Sequence, residues 1–415
     1  MKTRKTCTNT AALLMTTVGL LTSPALVSMA YSQVADVKIA LIAPMSGGMA
    51  RQGELMRIGA QLAIDDVNAK GGITALKGAK FKLVIEDAGD KVETAKNAAQ
   101  RLVANERDIV AGTGSWSSSL TLAVTEVTER AGLPWVTLSY ADQIANRNFK
   151  YLVQTVPVAS VLALNSMPTV LDMAQKASGK RPTTVAIVSD STAASQAFVK
   201  PLREGGFEKL GVKVVVDEIF TPPMADATTL VQRLRSTKPD FMLFYSTSFP
   251  DAKQVLTKMG EFGLSKGRLP VVSVGVQLAS PEMLAAVGAG PLEGLIVVAP
   301  NWTSKSQAGI LADLTKRSGE PWLGQDTIST YGDVWLIKDA IERAGSADHD
   351  AVMKALRATD RKDGPAAFYL GDRLAFDDQG RRLDGAVGLV QWQGGLPHLI
   401  WPANAALKEP LWPKS

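Results

Sequence analysis

Apolar and polar positions along the chain switch between two periods. VKIALIAP (37–44) is a continuous apolar, β-branched run of strand length that ends at Pro44. From Glu54 to Ala69 the residues Leu55, Ile58, Leu62 and Val67 recur at helical spacing, and Gly71-Gly72 stop the helix. FKLVIED (81–87) predicts a second strand, followed by a helix with Ala95, Ala98, Ala99, Leu102 and Val103 on one face. DIVAG (108–112), a serine-rich loop, the helix TLAVTEVTERAG (121–132) and the strand LPWVTLS (133–139) continue the rhythm. Strand and helix in alternation predict a parallel sheet covered on both faces.

The rhythm restarts at TTVAIVSD (183–190). It runs through a helical stretch to Leu210, KVVVDEIF (213–220), DATTLVQRLRST (226–237), DFMLFYS (240–246), a helix through Met259, LPVVSVG (269–275) and EGLIVVAP (293–300). Helices are expected at 306–318, 329–344 and 348–358, and short strands around AFYLG (367–371), GLVQWQ (388–393) and HLIWP (398–402). The expected fold is α/β, with two doubly wound parallel-sheet lobes in tandem. Residues 31–155 and 302–370 form lobe 1, 156–301 and 371–402 form lobe 2, and 403–415 are a C-terminal tail. QTVP (154–157), VVAPNW (297–302) and AFYLGDRLAFDDQG (367–380) fall where one half gives way to the other, the places for a three-strand hinge.

The first thirty residues stand apart. Lys2, Arg4 and Lys5 precede an apolar run from Ala11 to Leu21, and Ser28-Met29-Ala30 offers small residues to a signal peptidase. A signal peptide at 1–30, cleaved after Ala30, and export to the periplasm are expected. No later run reaches the length of a transmembrane helix. Without the leader, 42 basic residues stand against 40 acidic ones, which leaves no electrostatic footprint for nucleic acid. Cys7 is the only cysteine and lies in the leader, and His349 and His398 are the only histidines, so no metal site and no cofactor are expected.

In open α/β sheets ligands bind beyond the carboxyl ends of the strands. Those positions here are 45–47, 112–118, 139–142, 190–192, 246–249 and 275–277, rich in hydroxyls, glycine and aromatics and poor in charge. GTGSWSSSL (112–120) is the densest. Ser117 replaces the third glycine of a dinucleotide fingerprint, no Lys follows for a phosphate loop, and G-x-S-x-G is never met. With no histidine placed as a base, a hydrolase is disfavoured and no enzyme is expected. Hydroxyls and free N–H groups at a helix start instead seat an anionic oxygen, with Trp116 as an aromatic wall. EDAGD (86–90) reads as a helix cap and FDDQG (376–380) as a turn.

KIALIAPMSGGMARQGELMRIGAQLAIDDVNAKGGI (38–73) closely resembles the opening of extracytoplasmic solute-binding proteins of the leucine/isoleucine/valine-binding type. VIEDAGDKVETAKNAAQRLV, the serine loop with AGLPWV, and FDDQGRR extend the resemblance over the chain after the leader. It implies the type I periplasmic binding fold, a ligand held between closing lobes, and delivery to the membrane permease subunits of an ABC importer. The ligand would be a small carboxylate- or amide-bearing molecule, an amino acid or an aromatic or aliphatic acid. The protein would act as a monomer. A ligand-sensing module for a receptor or regulator is the alternative.

Carried over by position, the carboxylate-holding serine matches Ser118, and the following contacts match Ser139, Tyr140 and Ala141, with Asp142 beside them. The family's first-loop aromatic falls at Gln52, and its second-lobe tyrosines fall at Ala194 and Ser248. No acid occupies 274–277, where the family pairs the α-ammonium group. Either Asp142 or Asp190 takes that role, or the ligand lacks an α-amino group. The expected site is Trp116, Ser118, Ser139, Tyr140 and Asp142 on one lobe, facing Ser248, Phe249 and Gln277 on the other.

Overall fold

The computed structural model describes residues 36–371 and 373–412; the leader and its cleavage point lie outside the described residues. Strands β1 (Val37–Ala43), β2 (Phe81–Asp87), β3 (Ile109–Gly114), β4 (Trp135–Thr137) and β5 (Leu152–Gln154) form one sheet in the order β2-β1-β3-β4-β5. Every pairing in it is parallel. The apolar runs become central strands because both faces are covered, and β1 and β3 are buried along nearly their whole length. Helices α1 (Ala50–Ala69), α2 (Val92–Asn105) and α3 (Ser118–Arg130) make the crossovers.

After α4 (Ala159–Ser178) the plan repeats. Strands β6 (Thr184–Asp190), β7 (Lys213–Phe220), β8 (Phe241–Tyr245), β9 (Val271–Val274) and β10 (Ile296–Ala299) lie in the order β7-β6-β8-β9-β10, again parallel. That is the strand order of the first sheet, so the periodicity that restarts in sequence restarts in space. Helices α5 (Ala193–Pro201), α6 (Phe207–Lys209), α7 (Thr228–Thr237), α8 (Phe249–Glu261), α9 (Pro281–Val287) and α10 (Ala289–Leu292) belong to this lobe. The chain then returns through α11 (Ala308–Ser318), α12 (Gln325–Ala344) and α13 (His349–Arg357), with α12 lying along α1. Short strands β11 (Asp360–Arg361), β12 (Leu374–Phe376) and β13 (Arg382–Leu383) lead to the hairpin β14 (Gly388–Gln393) and β15 (Leu396–Trp401), which extends the second sheet antiparallel to β10.

Helix α4 has no counterpart in the sequence expectation, and two expected elements take a different form. AFYLG is not a strand, because Pro365 presets a helical φ and Gly364–Phe368 form a 3-10 helix. Helix α12 starts at Gln325, four residues before the expected 329, because its first turn is polar and shows no apolar period.

The chain passes between the lobes after β5, after β10 and after α13, and buried polar groups tie these passages together. The Arg382 guanidinium donates to Thr155 O (3.2 Å) and Leu370 O (2.7 Å). Asn301 donates to Phe368 O (2.9 Å) and accepts from Leu370 N (3.1 Å). Asp333 of α12 accepts hydroxyls from Thr113 (2.7 Å), Thr155 (3.0 Å) and Tyr369 (2.7 Å). Burial pushes its carboxyl up to about 6, against the pull of those three donors.

Within the first lobe α12 packs closely on α1. A methyl group at Gly59 would stand 2.3 Å from Thr327 O, so the two helices touch backbone to backbone. Gly59→Ala is expected to remove roughly 1–3 kcal/mol by overpacking. Urea unfolding should show a lower midpoint at constant slope; an unchanged midpoint would refute the close approach.

Candidate functional site

A cavity of about 20 Å³ lies where the carboxyl ends of the two sheets face each other. The first lobe lines it with Trp116, Ser117, Ser118 and Tyr140, the second with Ala194, Tyr245, Thr247, Gly275, Val276 and Gln277. These residues end or follow β3, β4, β6, β8 and β9, which include both strands at one reversal of strand order, β6/β8, and one strand, β3, at the other. The space admits about one water. A larger cavity of about 570 Å³ touches Pro182, Pro239 and Pro270, at the amino ends of β6, β8 and β9, the wrong end of the sheet for this chemistry.

The serine loop bends sharply to reach the cavity. Gly114, Ser115 and Trp116 have φ of 128°, 72° and 47°. A methyl at Gly114 would sit 2.0 Å from Ile42 O, so only glycine fits. For Ser115 and Trp116 the left-handed backbone costs about 1–2 kcal/mol each. The bend lets Ser115 N donate to Ile42 O (2.5 Å) and Trp116 Nε1 donate to Asp326 Oδ1 (3.0 Å).

Ser117 holds the N-cap position of α3 but makes no side-chain cap, which leaves the first N–H groups of the helix without a capping side chain. Ser118 Oγ accepts from Tyr140 N (3.2 Å) and Ala141 N (3.1 Å), and its own O–H is left to donate. Helix α5 of the second lobe also starts without a side-chain cap, and its Ala193 N donates to Ser119 Oγ across the cleft (3.3 Å). Two helix N-termini therefore meet at the cavity, and their dipoles favour an anion.

The cavity brings together Trp116, Ser118, Tyr140 and Gln277. Ser139, Asp142, Ser248 and Phe249 stand outside its lining. Ser139 Oγ donates to Trp116 O (2.8 Å) and bonds Thr121 Oγ1 (2.6 Å), bracing the loop from behind. Asp142 accepts from Ser160 N (3.1 Å) and from the Ser160 hydroxyl at the start of α4. Ser248 caps α8 by accepting from Asp251 N (3.3 Å), and Phe249 packs against the second lobe's core. Asp190 is fully buried and accepts four bonds, from the N–H and hydroxyl of Thr192 and of Thr247, which leaves it saturated.

In EDAGD the expected helix cap is not what forms. Asp87 Oδ1 accepts from Met45 N (2.9 Å) and Gly89 N (2.7 Å), and Lys91, the N-cap of α2, makes no side-chain cap. The carboxylate ties the end of β2 to the end of β1 because those strands are neighbours. FDDQG is a turn, with Asp377 Oδ1 accepting from Gln379 N and Arg381 N (both 2.9 Å). Among the described residues no group of three or more His, Cys, Asp or Glu side chains could hold a metal ion.

Sequence reasoning missed Gln325 and Asp326, since the helical period begins only at 329. Gln325 Nε2 donates to Tyr140 Oη (2.6 Å). Asp326 is 3% exposed. Burial pushes its carboxyl up to about 7, opposed by the Trp116 bond and the Arg51 charge. The folded chain thus holds a proton that an unfolded aspartate releases near pH 4. Stability from this group is full below about pH 4 and is lost as pH rises to about 7. Asp326→Asn is expected to flatten the fall of melting temperature between about pH 4 and 7, most distinctly between 6 and 7, above the midpoint of Asp333. A superimposable pH profile would contradict the assignment.

The sequence profile of a family described as periplasmic binding protein matches residues 36–396. A Leu/Ile/Val-binding protein homolog 8 of Brucella melitensis is 28% identical over 386 residues, 90% of this chain and 92% of that one. A homolog 7 of Brucella suis is 26% identical over 401 residues, 93% and 96% of the two chains. Among solved structures, a leucine-binding protein from Thermotoga maritima superposes with a TM-score of 0.74 at 20% identity, covering 88% of this chain and 97% of that one. A solute-binding protein of an ABC transporter from Rhodopseudomonas palustris, in complex with 3,4-dihydroxybenzoic acid, gives 0.73 at 20% identity, with 90% and 99% covered. Those structures share the two-lobed fold, and with the profile matched from β1 to the start of β15 the chain belongs to the periplasmic binding protein family.

Proposed function

We propose that this chain is the extracytoplasmic solute-binding component of a branched-chain amino-acid-type ABC importer. It takes up a small carboxylate- or amide-bearing solute between its lobes and hands it to the membrane permease. The observation that carries this reading is a cavity walled by both lobes, with two helix N-termini meeting at it and Ser118 in its lining. An anionic oxygen at that point is bound by partial positive charge from both lobes at once, so its binding favours the closed arrangement.

A space of about 20 Å³ cannot admit such a solute, so entry requires the lobes to part at the three passages. Relatives named for leucine, isoleucine and valine, and a similar fold holding a dihydroxybenzoic acid, support an amino acid or a small acid as the solute. We read the protein as a monomer exported by its leader, and as a carrier that releases its solute unchanged rather than an enzyme.

The test is a thermal-shift screen of protein unfolded and refolded to strip carried solute, with amino acids, benzoates, short-chain acids and amides as the panel. A compound at ~1,000 times its Kd adds roughly 4 kcal/mol and raises the melting point by several degrees. No shift with any member would overturn the reading. Ser118→Ala is expected to weaken binding at least tenfold. It also strips the partner from two buried N–H groups, a loss of about 1–3 kcal/mol in the empty protein. Wild-type affinity in that variant would remove Ser118 from the site.

A further inference from the structure

The cavity of about 570 Å³ lies in the second lobe at the amino ends of β6, β8 and β9, away from the cleft. Its volume falls within the ~300–1,000 Å³ of sites that hold small molecules. Leu234, Leu264, Leu269 and Trp412 supply the apolar lining. The Trp412 indole is held edge-to-face against Phe241, the first residue of β8, with ring centroids 6.3 Å apart.

The charge around this cavity is one-sided. Lys180, Arg235, Lys238 and Arg268 line it against a single acid, Asp240. Asp240 is already engaged. One oxygen accepts from the Lys180 ammonium (3.2 Å), and the other from the N–H and hydroxyl groups of Thr183 and Thr184. Acids on the flanking elements pair elsewhere: Asp172 of α4 with Arg181, Glu218 of β7 with Arg233, and Glu261 of α8 with Lys258. Among the described residues no carboxylate lies within ion-pairing distance of Arg235, Lys238 or Arg268. Arg268 makes one long bond, to Gly263 O (3.4 Å). The dipole at the C-terminal end of α7 accounts for Arg235 and Lys238. Arg268 comes from the loop after α8 and brings a third unpaired charge to the same cavity. Like charges along an apolar wall focus a positive potential, which draws in an anion.

We propose that this cavity is a second binding site, one that takes a phosphate monoester carrying a flat apolar group. A phosphate dianion offers acceptors to several cations at once, and guanidinium groups match its oxygens two by two. The apolar group covers the leucines and stacks on Trp412. Two sources present this chemistry, a soluble aryl phosphate and phosphatidic acid in a bilayer. The inference does not depend on what the cleft binds.

Calorimetric titration with 1-naphthyl phosphate, 1-naphthol and inorganic phosphate tests it, alongside sedimentation with phosphatidylcholine vesicles with and without phosphatidic acid. The ester is expected to bind roughly tenfold or more tighter than either of its parts, and the double variant Arg235→Gln, Arg268→Gln to lose roughly tenfold or more. Both arginines are exposed and without ion-pair partners, so that variant should melt where the wild type does. Trp412→Ala should bring the ester down towards inorganic phosphate. Retention on vesicles that requires phosphatidic acid and both arginines assigns the lipid source; a bound ester without retention assigns the soluble one. No binding in either arm, inorganic phosphate binding as tightly as the ester, or affinity unchanged in the double variant would overturn the inference.

Discussion

Asp333 ties two of the passages between the lobes to the first lobe. Fully buried in α12, it collects hydroxyls from the end of β3, from the first passage between lobes and from the third. A carboxylate in that position is tolerable only while every donor stays in place. Each donor belongs to a different segment, so the group holds the passages together without fixing the angle between the sheets beyond them. Arg382 and Asn301 serve the same region through backbone carbonyls and one amide, which stay satisfied if the passages bend as a unit.

Above this hinge, each lobe presents its strand ends through a carboxylate that is already saturated. Asp190 in the second lobe binds the turns after β6 and β8, and Asp87 in the first binds the turn after β2 to the end of β1. These acids build the rim of the cleft. The groups left over for a solute at the cavity are the uncapped starts of α3 and α5, one on each lobe, and the unpartnered Oε1 of Gln277.

The strands and most helices were legible because a parallel sheet buried on both faces leaves long apolar runs, and amphipathic helices leave a 3.6-residue period. The serine loop was legible by its glycines and hydroxyls at a strand exit. The first turn of α12 was not. Gln325, Asp326, Thr327 and Ser329 are polar yet buried, and nothing in periodicity separates such a turn from a loop. Asp142 and Asp190 looked available in sequence because a free carboxylate and one that holds a turn are written with the same letter.

What the sequence determined by itself was local and repetitive: which segments are strands, where each ends, and that the plan occurs twice, all consequences of short-range sterics and the burial of apolar runs. The tertiary structure decided which polar groups meet. Whether Ser118 braces the 140–141 backbone, whether Arg51 is already claimed by Glu282 and Glu320, and whether Asp326 reaches Trp116 depend on contacts between residues up to about 270 positions apart. Electrostatics and hydrogen bonding act through space over a few ångströms, and only the folded chain sets those distances.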